Sequence, residues 1–250
     1  MFVNDNFMIS IVIATYNSEL TLRRAMQSIL NLTYQDWECI VVDGASKDGT
    51  LDIVKEFVDR DARFRYISEP DHGIYDAFNK GWKIAKGEWV MYLGSDDEYT
   101  PDGIQVLVDN SQNADIVFGD TWIRNLKSGK EKLQSARVTR YGIGCCHQSL
   151  MMRRNLIESL GGFDEHYRVY ADADLMYRAE RKKCAIVQVH TPISVFSVGG
   201  VSQSFSWKTR WESFCITRKY CSLGHSLYCL IVVSGKLLLI DILRKIGLKS

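Results

Sequence analysis

Four short apolar runs separated by three amphipathic segments decide most of what this chain can fold into. The runs are Ile9 to Ala14, Trp37 to Val42, Phe64 to Ile67 and Trp89 to Leu93. Each is too short for a helix, is rich in β-branched or aromatic residues, and stops at turn-forming residues, which is the pattern of a strand buried on both faces. Between them, Leu22, Ala25, Met26, Ile29 and Leu30 recur at helical spacing, as do Leu51, Ile53, Val54, Phe57 and Val58. A third helix is expected after Asp71-His72-Gly73, with Ile74, Ala77, Phe78 and Trp82 on its apolar side. A β-α-β-α-β-α-β order requires right-handed crossovers and a mostly parallel central sheet flanked by helices, an α/β fold.

In such sheets ligands bind just outside the carboxyl ends of the strands. Asp43 follows the second run and Asp96-Asp97 the fourth, in Leu93-Gly94-Ser95-Asp96-Asp97. Two adjacent carboxylates repel each other and need a divalent cation, hydrogen bonds or water to offset them. The pair is therefore read either as a metal site facing a diphosphate or as a helix cap facing water. Asp43 is read either as an acceptor for a base N–H or ribose hydroxyl, or as the first residue of an Asp-Gly turn. No G-x-G-x-x-G follows the first strand and no G-x-x-x-x-G-K-[ST] occurs, which weighs against dinucleotide binding and P-loop hydrolysis.

The rest of the 250 residues is less regular. Ala114 to Gly119 and Ala185 to Val189 are strand candidates, and Thr121 to Val138 reads as a polar hairpin around Lys127-Ser128-Gly129-Lys130. Lys and Arg total 31 against 30 Asp and Glu, so bulk charge does not point to nucleic acid. Seven cysteines in no metal-knuckle spacing point to a reducing compartment. Met1 to Phe7 lacks the basic and apolar regions of a signal peptide. We expect one catalytic domain over 1–206, with a donor half at 8–120 and an acceptor half at 121–206, and a helical tail over 207–250. That tail mixes Trp207, Lys208, Arg210, Trp211, Phe214, Arg218 and Lys219, then becomes strongly apolar from Leu227 to Leu243, interrupted by Lys236 and Asp241. It is a poor membrane span and is read as an amphipathic segment lying on a membrane surface, or else as a helix pair packed on protein.

Several motifs in order carry a resemblance. They are Ile13-Ala14-Thr15-Tyr16-Asn17, Asp43 to Thr50, Glu69-Pro70-Asp71-His72-Gly73-Ile74-Tyr75-Asp76-Ala77-Phe78-Asn79-Lys80-Gly81, Ser95-Asp96-Asp97, His147-Gln148-Ser149, Gly161-Gly162-Phe163-Asp164-Glu165 and Ala171-Asp172-Ala173-Asp174-Leu175. Together, over about residues 8–200, they resemble the family 2 glycosyltransferases, inverting enzymes with a nucleotide-diphospho-sugar transferase fold of the GT-A type.

The resemblance implies roles residue by residue. Thr15, Tyr16 and Asn17 would line the donor site, with Tyr16 packing on the donor's base. Asp43 would read that base, usually uracil; Asp71 and Lys80 would flank the donor cleft. Asp96 would sit near the ribose, and Asp97 would hold Mn²⁺ or Mg²⁺ on the diphosphate. Asp172 matches the catalytic base, although the glutamate that often precedes it is Ala171 here. Asp174, two residues on, shares its face on a strand but not on a helix. His147 and Asp174 are candidates for acceptor or diphosphate contacts, and His147 can equally be structural. Gly199-Gly200-Val201-Ser202 reads as a loop that closes over the donor, or as a plain turn.

The expected activity is metal-dependent, inverting transfer of one sugar from a UDP-sugar to a lipid-diphosphate-linked glycan. It would serve bacterial O-antigen, capsule or similar surface polysaccharide synthesis, in the cytoplasm and peripheral to the inner membrane. The alternative is a catalytically inactive nucleotide- or glycan-binding subunit of the same fold. A sugar-1-phosphate nucleotidyltransferase would need a glycine-rich basic loop after strand one, which Thr15-Tyr16-Asn17-Ser18 does not supply.

Overall fold

The computed structural model describes residues 7–126, 128–139, 142–198 and 206–235. The four apolar runs are strands β1 (Ile9–Thr15), β2 (Trp37–Asp43), β3 (Phe64–Ser68) and β4 (Trp89–Gly94), joined by helices α1 (Leu22–Leu30), α2 (Thr50–Arg60) and α3 (Ile74–Ile84). After β4 come β5 (Glu98–Tyr99), α4 (Gly103–Asp109), β6 (Ile116–Asn125), β7 (Glu131–Gln134), β8 (Arg137–Thr139) and β9 (Gly142–Gly144). The chain continues through β10 (Leu150–Arg153), α5 (Arg154–Leu160), α6 (Ala171–Arg181), β11 (Ile186–Val198), α7 (Trp207–Tyr220) and α8 (Leu223–Tyr228).

The central sheet has nine strands in the order β3-β2-β1-β4-β10-β6-β11-β5, with β7 added to β6. β3, β2, β1 and β4 run parallel, as the alternating pattern requires. β10 then enters antiparallel between β4 and β6, and β11 runs parallel to β6. The expected hairpin is β6 with β7.

Side-chain alternation along β1 splits the core in two. Ile9, Ile11 and Ile13 join Met26 and Ile29 of α1, Val54 and Phe57 of α2, and Ile104 and Leu107 of α4. Val12 and Ala14 face the other way, onto Phe78 and Trp82 of α3, Ile157 of α5 and Leu175 of α6. On α3 the buried face is Tyr75, Ala77, Phe78 and Trp82. Ile74, expected inside, is 40% exposed because the helix begins there and its first residue projects from the packed turn. α3 lies so close to β1 that a Cβ on Gly81 would stand 2.2 Å from Val12 Cγ1. We therefore expect Gly81→Ala to cost about 1–3 kcal/mol in urea denaturation despite its better helix propensity, because the branched Val12 is fully buried and cannot move aside.

Two strand expectations shift. β6 and β11 run well past their apolar cores at 114–119 and 185–189. β11 shifts register twice, between Gln188 and Pro192 and again between Pro192 and Ser194, so its hydrophobic period breaks while Pro192 still pairs with Asp120 and regular pairing with β6 runs on from Ser194. At the start of the tail, α7 buries Thr209, Arg210 and Ile216 and reaches α6 through side-chain bonds described below. The Gly199 to Ser202 loop and the end of the apolar tail beyond 235 lie outside the described residues. Among the described residues no helix is long and apolar enough to cross a membrane.

Candidate active site

Register brings the strand ends together. Thr15 pairs with Asp43 across β1 and β2, and Ala14 pairs with Gly94 across β1 and β4. The strand order reverses its direction of growth at β1/β4, which opens a crevice above those ends. Ser18 and Ser95 bridge it with a 2.9 Å hydroxyl contact.

On the β1/β2 side, Tyr16 is 61% exposed and stands beside Gly44. The Asp71 carboxylate occupies the room a side chain at Gly44 would need, since a Cβ there would lie 2.5 Å from Asp71 Oδ2 and 3.3 Å from Tyr16 Cδ2. Asp71 Oδ1 accepts from the Gly73 N–H at 2.9 Å. Tyr16 and Asp71 are thus adjacent and open. Asp43 is buried instead, and its carboxylate accepts from the N–H and hydroxyl of Ser46 and from the Ser68 hydroxyl. Asn17, at φ 48°, laces the two loops: its N–H donates to Ser46 Oγ and its Oδ1 accepts from the Lys47 N–H. Thr15 Oγ1 is buried with no hydrogen-bond partner among the described residues. Lys80 is engaged by Glu69 at 3.1 Å, Asp76 at 3.4 Å and the Pro70 carbonyl at 2.9 Å. It neutralises its own helix and loop, so a phosphate would have to compete with two carboxylates for it.

Beyond β4 lies a cavity of about 560 Å³. Asp96 and Asp97 line it together with His147, Gln148 and Asp172, while Ile74, Val169 and Phe196 give it an apolar wall. Asp97 is only 1% exposed. Its Oδ1 accepts from the Ser197 N–H at 2.9 Å and its Oδ2 from Gln148 Nε2 at 2.6 Å. Burial, then the neighbouring Asp96 charge, push its carboxyl up to about 6 against those two donors. Burial also raises Asp96, opposed by the Arg24 guanidinium, which donates to the Asp96 carbonyl at 2.9 Å.

Asp172 sits in the first turn of α6. Burial alone would raise its carboxyl, but the His147 ring, the Ala173 N–H and the Tyr75 hydroxyl outweigh that and hold it below the usual carboxylate range. His147 Nδ1 is 3.4 Å from Asp172 Oδ2, and Tyr75 Oη is 3.2 Å from Asp172 Oδ1 and 2.7 Å from the Val169 carbonyl. His147 Nε2 is buried without a partner among the described residues.

Asp174 does not share this cavity. The helix turns it away from Asp172, and it accepts from Arg178 at 2.7 Å, Lys219 at 3.0 Å and Tyr220 at 2.7 Å. The carboxylate is fully buried in a network of its own, apart from the cavity. Gln148, Tyr75 and Arg24 carry site contacts to which the sequence assigns no role. The first two lie inside the motifs that carry the family resemblance, whereas Arg24 carries no signal beyond an ordinary helix arginine.

The sequence from 10 to 164 matches the family model described as glycosyl transferase family 2. The chain belongs to glycosyl transferase family 2. It is 31% identical over 207 residues to the "PGL/p-HBAD biosynthesis glycosyltransferase" of Mycobacterium tuberculosis, an alignment covering 79% of this chain and 80% of that one. It is 35% identical over 94 residues to the putative glycosyltransferase EpsH of Bacillus subtilis, covering 38% of this chain and 27% of that protein. Among solved structures, Staphylococcus aureus TarS 1–349 in complex with UDP-GlcNAc superposes with a TM-score of 0.64 at 18% identity, over 89% of this chain and 70% of TarS. The mannosyltransferase PcManGT of Pyrobaculum calidifontis, in complex with GDP-Man and Mn²⁺, superposes with a TM-score of 0.69 at 15% identity, over 93% of this chain and 74% of that one. The protein is accordingly a glycosyltransferase, and its sheet and flanking helices form the GT-A fold.

Proposed function

We propose that this glycosyltransferase moves one sugar from a UDP-sugar, with inversion, onto a hydroxyl of a lipid-diphosphate-linked glycan during bacterial surface polysaccharide synthesis. The observation that carries the reading is that a single cavity is lined by the acidic pair Asp96-Asp97 and by Asp172. A transferase of this kind must offset a departing diphosphate at one point and deprotonate a hydroxyl at another.

The residues fit a hard divalent cation, Mn²⁺ or Mg²⁺. Asp97 is a buried carboxylate raised to about 6 despite two hydrogen-bond donors, Asp96 adjoins it, and His147, whose Nε2 has no partner among the described residues, lines the same cavity. Among the described residues no group of three His, Cys, Asp or Glu is arranged to hold a metal alone. That suits a cation held by one or two carboxylates with the remainder of its shell from phosphate oxygens and water. Such an ion, bound with the donor, supplies positive charge to the leaving diphosphate without proton transfer. Relatives in complex with UDP-GlcNAc and with GDP-Man plus Mn²⁺ support a nucleotide-sugar donor and a metal.

Tyr16 would stack on the base, with Asp71 beside it to accept from the base or ribose. Asp43 and Asn17 would hold the loop that carries them. Asp172, ionised at neutral pH, would take the proton of the acceptor hydroxyl as it attacks the anomeric carbon from the face opposite the diphosphate. His147 and Tyr75 would fix the carboxylate's orientation. One displacement of this kind turns an α-linked donor into a β-linked product.

Exposed Trp207, Trp211, Leu227, Tyr228 and Ile231 support peripheral docking on a bacterial inner membrane, with exposed Lys208 and Arg218 nearby to meet anionic lipid. The test is UDP release from a panel of UDP-sugars, in Mn²⁺ and in chelator. We expect release from one donor, abolished by chelation. Equal release with and without chelator would remove the metal from the mechanism. No release even with a polyprenyl-diphosphate-linked sugar as acceptor would favour a binding-only subunit.

A further inference from the structure

α7 runs along α6: its last turn reaches Tyr177 and Arg181 toward the end of α6, and its first half grips the segment that leads into the first turn of α6. The Glu212 carboxylate accepts three backbone N–H groups in a row: Arg168 at 3.0 Å, Val169 at 2.7 Å and Tyr170 at 2.7 Å. Residues 165 to 170 form no helix or strand, and Tyr170, which caps α6, makes no side-chain capping bond of its own to the helix backbone. A carboxylate on free N–H groups beside a helix start is favoured both by hydrogen bonding and by the helix dipole. Two further anchors flank it. Arg210 donates to Tyr170 Oη with its guanidinium over the ring, and Lys219 and Tyr220 donate to Asp174.

Asp172 lies between these anchor points, flanked by Tyr170 on one side and Asp174 on the other. Val169 and Arg168 line the cavity themselves, and the Val169 carbonyl takes the same Tyr75 hydroxyl that reaches Asp172. None of the residues around Asp172 on α6 itself supplies this clamp; the preceding residue is Ala171, fully buried in the second core.

We propose that Glu212 is a positioning residue for the reaction: by gripping the N–H groups of Arg168, Val169 and Tyr170, it sets where the first turn of α6 presents the Asp172 carboxylate to the acceptor. The inference rests on the reading of Asp172 as the base. It gives α7 a role in turnover, distinct from any role of its outward face in docking.

The test compares full-length Glu212→Ala and Glu212→Gln with the wild type and with Asp172→Asn. Amide hydrogen exchange at 168–170 reports the clamp, UDP release from the responsive UDP-sugar reports turnover, and calorimetry with UDP and Mn²⁺ reports the donor site. We expect faster exchange at 168–170 in both Glu212 variants. Turnover should fall by about 10–100-fold in Glu212→Ala, and less in Glu212→Gln, which keeps one acceptor oxygen. UDP affinity should stay within about twofold, because the groups proposed to bind UDP do not touch the clamp. Unchanged exchange, or unchanged turnover with faster exchange, would overturn the proposal. So would a parallel loss of turnover, UDP affinity and melting temperature in the Gln variant, which would mark Glu212 as a general stabiliser. If Asp172→Asn turns over like the wild type, the base reading itself fails; if Asp172→Asn is inactive while both Glu212 variants are normal, only the positioning role does.

Discussion

Asp172→Asn will lower turnover by about 10²–10⁴-fold while leaving nucleotide affinity within about twofold of the wild type. Asparagine keeps the shape of the side chain and an oxygen for the Ala173 N–H and Tyr75 hydroxyl, which now lie 2.8 and 3.2 Å from Asp172 Oδ1. What it loses is the capacity to accept a proton and the charge that His147 faces at 3.4 Å. Turnover measured with saturating donor, beside UDP binding by calorimetry, separates the two effects. A variant that binds and turns over normally would assign the proton to another group. Because the Asp172 carboxyl is held below the usual range, its share of stability is present above the unfolded value of 3.8 and lost as pH falls through the lower folded value. The base itself should therefore stay ionised across the neutral range.

Asp97→Asn will abolish metal-dependent nucleotide binding and yet make the metal-free protein more stable at neutral pH. The carboxyl rises from 3.8 to about 6 on folding. Between those values the folded chain binds more protons than the unfolded one, so stability falls as pH rises through that window. At about 1.4 kcal/mol per unit, the ionised group costs roughly 3 kcal/mol above pH 6. Asparagine removes that cost but turns an NH₂ toward either the Ser197 N–H or the Gln148 amide, so a net gain nearer 1 kcal/mol is expected. Melting temperatures in chelator at pH 5 and pH 7.5 check this. The wild type should lose stability between those values relative to the variant, and parallel curves would refute the assignment of the penalty to Asp97.

The two aspartates differ in how legible they were. Asp97 follows an apolar strand halted by Gly94 and Ser95, a local pattern that fixes its place at a strand end whatever the rest of the chain does. Thr15 and Asp43 were legible for the same reason, since parallel pairing of two short apolar runs aligns their ends. That Asp43 is consumed by Ser46 and Ser68, leaving Asp71 as the open carboxylate beside Tyr16, depends on loop geometry that no periodicity encodes. Asp172 alone fits the motif position of the base, and the helix sets Asp174 apart from it; the partners of Asp174, Lys219 and Tyr220, come from the C-terminal helical tail, which no local pattern ties to α6. Tyr75 and Ile74 show the same limit: the helix was readable, but which residue opens it decides which side chain is buried. The likeness to family 2 sequences carried more of the site than did composition or spacing, because it ordered motifs that are individually common.

The insertion of β10 between β4 and β6 bears on biosynthesis. During translation β1 to β4 emerge as a contiguous parallel unit, but the far edge of β4, all apolar from Trp89 to Leu93, has no neighbour until Leu150–Arg153 has left the ribosome. At about 5–20 residues per second that edge stands open for several seconds. An unpaired apolar strand is a template for association with other nascent chains. The interval in which this enzyme is most prone to aggregate should thus lie in the synthesis of residues 95 to 153, and slowing translation there would prolong it.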